Sequence, residues 1–225
     1  PECVADCLES IWAHTKVPYR LIVIDDCSSD SRIATLLESY ARDMPISIYR
    51  NDQNLGFTGT VNRGIEIADR SDVILLNSDT KVTPAWLENL RLAAYSADNV
   101  ATATPLSNNA GAFSVPTMNE ANALPGFLSL DSYARLVTQA SARLYPDTPT
   151  GNGFCMYIRR DCIDNIGLFD AAAFPRGYGE ENDFCMRAVR HGWRHIVDDA
   201  TLIYHVRSAS FGEAKWDLLK QGRAI

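Results

Sequence analysis

Several signatures are missing from this chain, and each absence removes a class of function. No G-x-G-x-x-G follows the first apolar run, so a nicotinamide or flavin enzyme is a poor match, and neither a P-loop nor a G-x-S-x-G elbow is present. Clustered base is also lacking. With 21 Lys and Arg against 28 Asp and Glu and a net charge of -7, the chain offers no phosphate-binding face for nucleic acid. No apolar run reaches the length of a membrane span and no signal-peptide pattern opens the sequence, so it reads as soluble and cytoplasmic, peripheral at most to the inner face of the membrane. The six cysteines show no C-x-x-C spacing and read as reduced, mostly buried thiols rather than zinc or redox ligands.

What is present is ordinary globular composition. The 225 residues, 46% apolar and 22% charged, suffice for one full core, so a single domain over 1–225 is expected. Val4, Leu8, Ile11 and Trp12 recur at helical spacing before Pro18. Leu21-Ile22-Val23-Ile24 then reads as a strand, closing in Asp25-Asp26-Cys27-Ser28, with a helix over 32–42: the start of a βαβ unit. A strand at 46–49, a helix through Val61, Ile65 and Ala68, and a second apolar run, Val73-Ile74-Leu75-Leu76, continue the alternation. That run predicts a central strand buried on both faces, with Asn77-Ser78-Asp79 at its carboxyl end, the edge where ligands of open α/β sheets bind.

A helix after Pro84 and a strand near 100–104 follow. The pattern then breaks: residues 105–125 are rich in Asn, Ala, Pro and Gly, and a loop that long inside a domain is usually functional. Later elements are a helix near 130–144, a glycine-flanked strand over 151–158, a short helix capped by Asp161, a helix opening with Glu180, Glu181 and Asp183, and two strands near 195–197 and 202–205.

Four polar clusters stand at the ends of apolar elements. Asp25 and Asp26 can accept from a nucleobase or ribose, or cap the next helix. Their run also matches half of a calcium loop, but Ser31 and Leu37 stand where the glycine and the final acid belong. Asp79 can anchor a divalent cation completed by diphosphate oxygens, or merely close a turn. Glu180, Glu181 and Asp183 either suit a helix N-terminus or include a base for a sugar hydroxyl. His205 ends an apolar strand, while His14, His191 and His195 read as structural.

Taken in order, Leu21-Ile22-Val23-Ile24-Asp25-Asp26-Cys27-Ser28, Asn54-Leu55-Gly56-Phe57 with Asn62-Arg63-Gly64, Leu75-Leu76-Asn77-Ser78-Asp79, Gly179-Glu180-Glu181-Asn182-Asp183 with Arg187, and His205 resemble family 2 glycosyltransferases of the GT-A fold. The chain is most similar to the bacterial rhamnosyltransferase-like, cell-surface glycan branch. The resemblance implies an α/β fold with a mostly parallel central sheet flanked by helices, a nucleotide-binding part over about 1–104 and an acceptor-side part over about 105–225. It also implies a metal-dependent, inverting transfer, with Mn²⁺ or Mg²⁺, from a UDP- or dTDP-sugar to a hydroxyl of a glycan, lipid-linked or protein-linked acceptor, as in polysaccharide biosynthesis.

The site residues follow from the same resemblance. Asp25, Asp26, Ser28, Gly56, Asn77 and Ser78 would meet the donor, Asp79 and His205 the metal, and Glu181, with Glu180 and Asp183 as alternatives, would be the base. Asn77 replaces the first acid of the D-x-D motif, and Glu181 stands where the family usually has Asp. Residues 105–125 and 174–178 are expected to contact the acceptor. Family members open on a strand of the type Val-Pro-Val-Tyr-Asn, whereas this chain starts at Pro1-Glu2-Cys3, so the usual first strand is expected to be absent from it. The alternative is a non-catalytic sugar-, nucleotide- or partner-binding module on the same fold.

Overall fold

A computed structural model describes residues 1–175, 177 and 179–206. Helix α1 (Glu2–His14) buries Cys7, Leu8 and Ile11 along one stripe, as their spacing requires. Strand β1 (Leu21–Asp25), helix α2 (Arg32–Tyr40) and strand β2 (Ile46–Arg50) form a βαβ unit whose strands pair in parallel as a separate two-stranded sheet. Helix α3 (Gly56–Ala68) packs against both β1 and β3 (Val73–Leu76), joining that sheet to the main one.

The main sheet runs β3, β7 (Cys155–Ile158), β5 (Val100–Ser107), β8 (Arg194–His205), β4 (Thr80–Lys81), with β6 (Asp147–Thr148) pairing to β8. Helices α4 (Trp86–Ala94), α5 (Leu130–Ala140), α6 (Arg160–Ile166) and α7 (Glu180–Arg190) flank it. The α/β architecture with a helix-flanked central sheet is as the sequence implied. Its strand directions are not. Among the described strands only β1–β2 and β5–β8 run parallel, while β3–β7, β5–β7, β4–β8 and β6–β8 run antiparallel, so the sheet is mixed rather than mostly parallel.

The reason lies in the second half, where β7 enters between β3 and β5 in the reverse sense and displaces β3 to the end of the order. The four residues of β3 are accordingly only partly buried, and β7 holds the interior position expected of β3. On β7, Cys155 and Tyr157 face the cluster of α4 (Trp86, Leu90, Ala93), while Met156 and Ile158 face that of α6 and α7 (Cys162, Phe184, Ala188). This is the period of two that a doubly covered strand needs. Each large side chain so buried contributes about 1.5–3 kcal/mol.

Two further expectations are corrected. The late strands are one strand, β8, kept continuous past Asp198 by a register shift against β5. Asp161 is not a cap: it lies inside the first turn of α6 and pairs with Arg159 at 2.7 Å. All six cysteines are free thiols, four of them buried. Among the described residues no helix is long and apolar enough to cross a membrane.

Candidate active site

The turn after β3 is closed by Thr80, whose hydroxyl donates to the Asn77 carbonyl at 2.7 Å. Thr80 then pairs with His205 across the antiparallel β4–β8 ladder, and the Val206 amide donates to the Asp79 carbonyl at 2.9 Å. This pairing brings Asp79 Oδ1 to 3.2 Å from His205 Nε2, with both side chains mostly shielded from solvent. Nδ1 of the ring is 3.0 Å from the Asn109 carbonyl, which can only accept, so Nδ1 carries a hydrogen. In the neutral ring Nε2 is then an acceptor facing a carboxylate. A hydrogen on either partner would make this contact a hydrogen bond, and a cation between them would satisfy both.

A carboxylate suits Mn²⁺ or Mg²⁺, an imidazole can bind a divalent first-row metal, and a carbonyl holding the far ring nitrogen is the usual outer partner of a ligating histidine. Among the described residues no group of three or more His, Cys, Asp or Glu gathers there. A cation held by Asp79 and His205 would therefore need most of its ligands from elsewhere, as Mg²⁺-type sites on nucleotides take them from phosphate oxygens and water. Asn77 takes part through its backbone, its N–H donating to the Phe154 carbonyl at 2.8 Å, and Ser78 is exposed.

The β1 acids are tied to their neighbours. Asp25, buried, accepts from the Ser28 amide at 2.8 Å and from the Arg50 guanidinium. Burial pushes its pKa up, but the Ser28 bond and the Arg50 charge outweigh it and hold the carboxyl below its usual range. Asp26 Oδ1 accepts from Asn51 Nδ2 at 2.7 Å and from the Leu55 amide at 2.8 Å, fixing the loop against the start of α3. Gly56 opens that helix at φ 72°, a left-handed conformation glycine adopts without strain. Arg63 donates to the Asn51 side-chain oxygen and to the Arg50 carbonyl.

Gly179 precedes helix α7, with φ 148° and a position where a Cβ would stand 2.4 Å from Phe174 Cε1. Its amide donates to Glu180 Oε2 at 2.9 Å, and the Gly153 amide donates to Glu181 Oε1 at 2.8 Å. Burial, with the Glu181 charge beside it, raises the Glu180 pKa to about 8, and burial raises that of Glu181. The two carboxyls are buried side by side, and like charges so placed favour keeping a proton on one of them. Asp183 is engaged elsewhere: Arg187 Nε lies 2.8 Å from it and the same guanidinium donates to the Ile166 and Leu168 carbonyls.

Asp79 and His205 are therefore brought together, as are Glu180 and Glu181, and Asp25 with Ser28. Two of the clusters meet at the bend before β7: the Gly153 amide meets Glu181 and Phe154 stacks on His205, while Phe57, next to Gly56, lies beside Gly153. Sequence reasoning missed Arg50, Asn108, Asn109, Gly153 and Phe154. Asn108 and Asn109 lie in the irregular 105–125 segment singled out for another role. The expectation for residues 174–178 falls partly on Arg176 and Tyr178, outside the described residues. His195 is structural, buried between Thr102 Oγ1 at 2.8 Å and the Cys185 carbonyl at 3.0 Å.

The glycosyl transferase family 2 pattern matches residues 1–167. The chain belongs to that family. The uncharacterised glycosyltransferase YwdF of Bacillus subtilis (strain 168) is 25% identical over 202 residues, covering 89% of this chain and 68% of that protein. Among solved structures, GalNAc-T7 with UDP, GalNAc and Mn²⁺ superposes at a TM-score of 0.69 with 17% identity, over 88% of this chain and 40% of that one. The mannosyltransferase PcManGT of Pyrobaculum calidifontis, in complex with GDP-Man and Mn²⁺, superposes at 0.65 with 14% identity, over 97% and 57%. At such identities the two structures speak for the GT-A-like fold, and the chain spans about half of their length.

Proposed function

We propose that the chain is the catalytic domain of a metal-dependent, inverting glycosyltransferase that moves a sugar from a UDP- or dTDP-sugar to an acceptor hydroxyl on a glycan, lipid-linked or protein-linked molecule. The observation that carries this reading is the 3.2 Å contact of Asp79 with His205, which sets a carboxylate and an imidazole from distant parts of the chain side by side at the end of the sheet. Support comes from the Mn²⁺ and nucleotide or nucleotide-sugar ligands of the two superposed structures. The rhamnosyltransferase-like, cell-surface branch is the assignment the sequence motifs favour, with the donor held over about 1–104 and the acceptor over about 105–225.

In this mechanism Asp25, Asp26, Ser28 and Gly56 hold the nucleoside, with Asn77 and Ser78 at the turn beneath the diphosphate. Asp79 and His205 would hold the cation, which when bound supplies positive charge to the departing diphosphate. Glu181 takes the proton of the acceptor hydroxyl as that oxygen attacks the anomeric carbon from the opposite face. The bond to the phosphate oxygen breaks, its electron pair leaves on the nucleoside diphosphate, and the configuration inverts. Glu180, keeping its proton, stabilises the ionised Glu181 beside it.

The test is release of nucleoside diphosphate by the full-length protein from a panel of UDP- and dTDP-sugars with Mn²⁺. Turnover that chelation abolishes is expected. No turnover and no calorimetric binding of any donor would overturn the proposal.

A further inference from the structure

We propose that Gly153 and Phe154 are positioning residues for the two halves of the reaction centre: Gly153 sets the place of the Glu181 carboxylate and Phe154 sets that of the His205 imidazole. The inference rests on the function proposed above and names residues that reading does not assign.

Gly153 lies just before β7, and its amide donates to Glu181 Oε1 at 2.8 Å. A Cβ built there would stand 2.6 Å from that oxygen and 3.3 Å from Phe57 Cζ. Glycine is needed here for approach, not for a left-handed backbone, since its φ is not positive. Any side chain would push the carboxylate away from the amide that orients it, or push the β7 bend outward. Phe57 closes the other side.

Phe154, next in sequence, is 3% exposed, and its ring stacks on the His205 imidazole with centroids 5.3 Å apart and planes 17° from parallel. Its carbonyl accepts the Asn77 amide at 2.8 Å, so the same residue braces the turn that presents Asp79. The imidazole is thereby fixed from two directions, by the ring face and by the Asn109 carbonyl at Nδ1, and Nε2 is left facing Asp79. A ring that only filled the core would need no such alignment with a histidine.

The experiment measures Mn²⁺ binding with UDP and with dTDP by calorimetry, and steady-state turnover, in the full-length protein. Phe154→Leu keeps apolar bulk but loses the stack, and is expected to weaken Mn²⁺ binding about 5-fold, with Phe154→Tyr restoring it. Gly153→Ala is expected to leave Mn²⁺–nucleotide binding unchanged and to lower kcat on the order of 100-fold by displacing the base. Glu181→Asp draws the carboxylate back one methylene, so adding Gly153→Ala to it should cost far less than adding Gly153→Ala to the native chain. That cycle and circular dichroism separate displacement from misfolding. Native Mn²⁺ affinity in Phe154→Leu, or equal costs of Gly153→Ala in the native chain and in the Glu181→Asp variant, would overturn the inference. Failure of the unaltered protein to bind Mn²⁺ with nucleotide would instead overturn the proposed function.

Discussion

Asp79 and His205 meet at 3.2 Å because two β4 residues, Thr80 and Lys81, pair with the end of β8. A two-residue strand contributes little to stability, yet it sets the spacing of the two residues proposed to hold the cation. Asp79→Asn and His205→Ala should each lower Mn²⁺–nucleotide affinity by about 100-fold or more, since each removes a ligand whose outer partner alone is worth about 10- to 100-fold. Calorimetry with and without Mn²⁺ checks this: nucleotide affinity without the metal should change little.

Asn108 offers a less direct test. Its side-chain oxygen accepts the His205 amide at 2.7 Å and its Nδ2 donates to the His205 carbonyl at 3.2 Å, so one amide clamps the backbone of the histidine from both sides. Asn108→Ala leaves both buried backbone groups without that partner. Mn²⁺ affinity should fall by about 10-fold, as for other outer partners of metal ligands, while Asp79 stays in place. Metal titration of the variant against native protein at matched folding by circular dichroism decides it.

The glutamate pair should impose a pH dependence on stability. Burial, then the Glu181 charge, raises the folded pKa of Glu180 from 4.5 to about 8, so between these values the native state holds a proton the unfolded chain has lost. Stability is then fully present below about 4.5 and is lost as pH rises through about 8. Glu180→Gln carries no proton to lose, so its melting temperature should gain on the native protein steadily from about pH 5 to about pH 8.5. A constant offset over that range would contradict a shared proton. Turnover in the native protein should rise as the pair loses its first proton and fall as it loses the second, with apparent values belonging to the pair.

The candidate site was legible in the sequence where its polar residues sit at strand and helix ends. Asp25, Asp26, Asp79, Glu181 and His205 all stand at the end of a regular element, and such elements are visible by periodicity. The neighbours that orient them are not: Asn108 and Asn109 lie in an aperiodic segment, Arg50 closes a strand, and Gly153 matters for a Cβ it lacks. Strand direction is hidden for a related reason. The run 73–76 reads as a doubly covered parallel strand, but four apolar residues do not reveal that β7, arriving much later in the chain, takes the interior place in the opposite sense.

Asp183 is the third acid of its helix turn, and its surroundings set it apart from the other two. Arg187 Nε meets it at 2.8 Å one turn on, and that guanidinium also donates at 2.8 Å to the carbonyls of Ile166 and Leu168. The ion pair therefore fixes α7 against the end of α6. Asp183→Asn keeps the shape but removes the charge, which should cost about 1 kcal/mol in a partly exposed pair, or about 2–4 °C in melting temperature for a chain of this size. Its kcat should stay near the native value. Glu181→Gln should do the reverse, lowering kcat about 100- to 10,000-fold at an unreduced melting temperature, because burying an amide costs less than burying a charge. A large kcat loss in Asp183→Asn at native stability would move the base from Glu181 to Asp183.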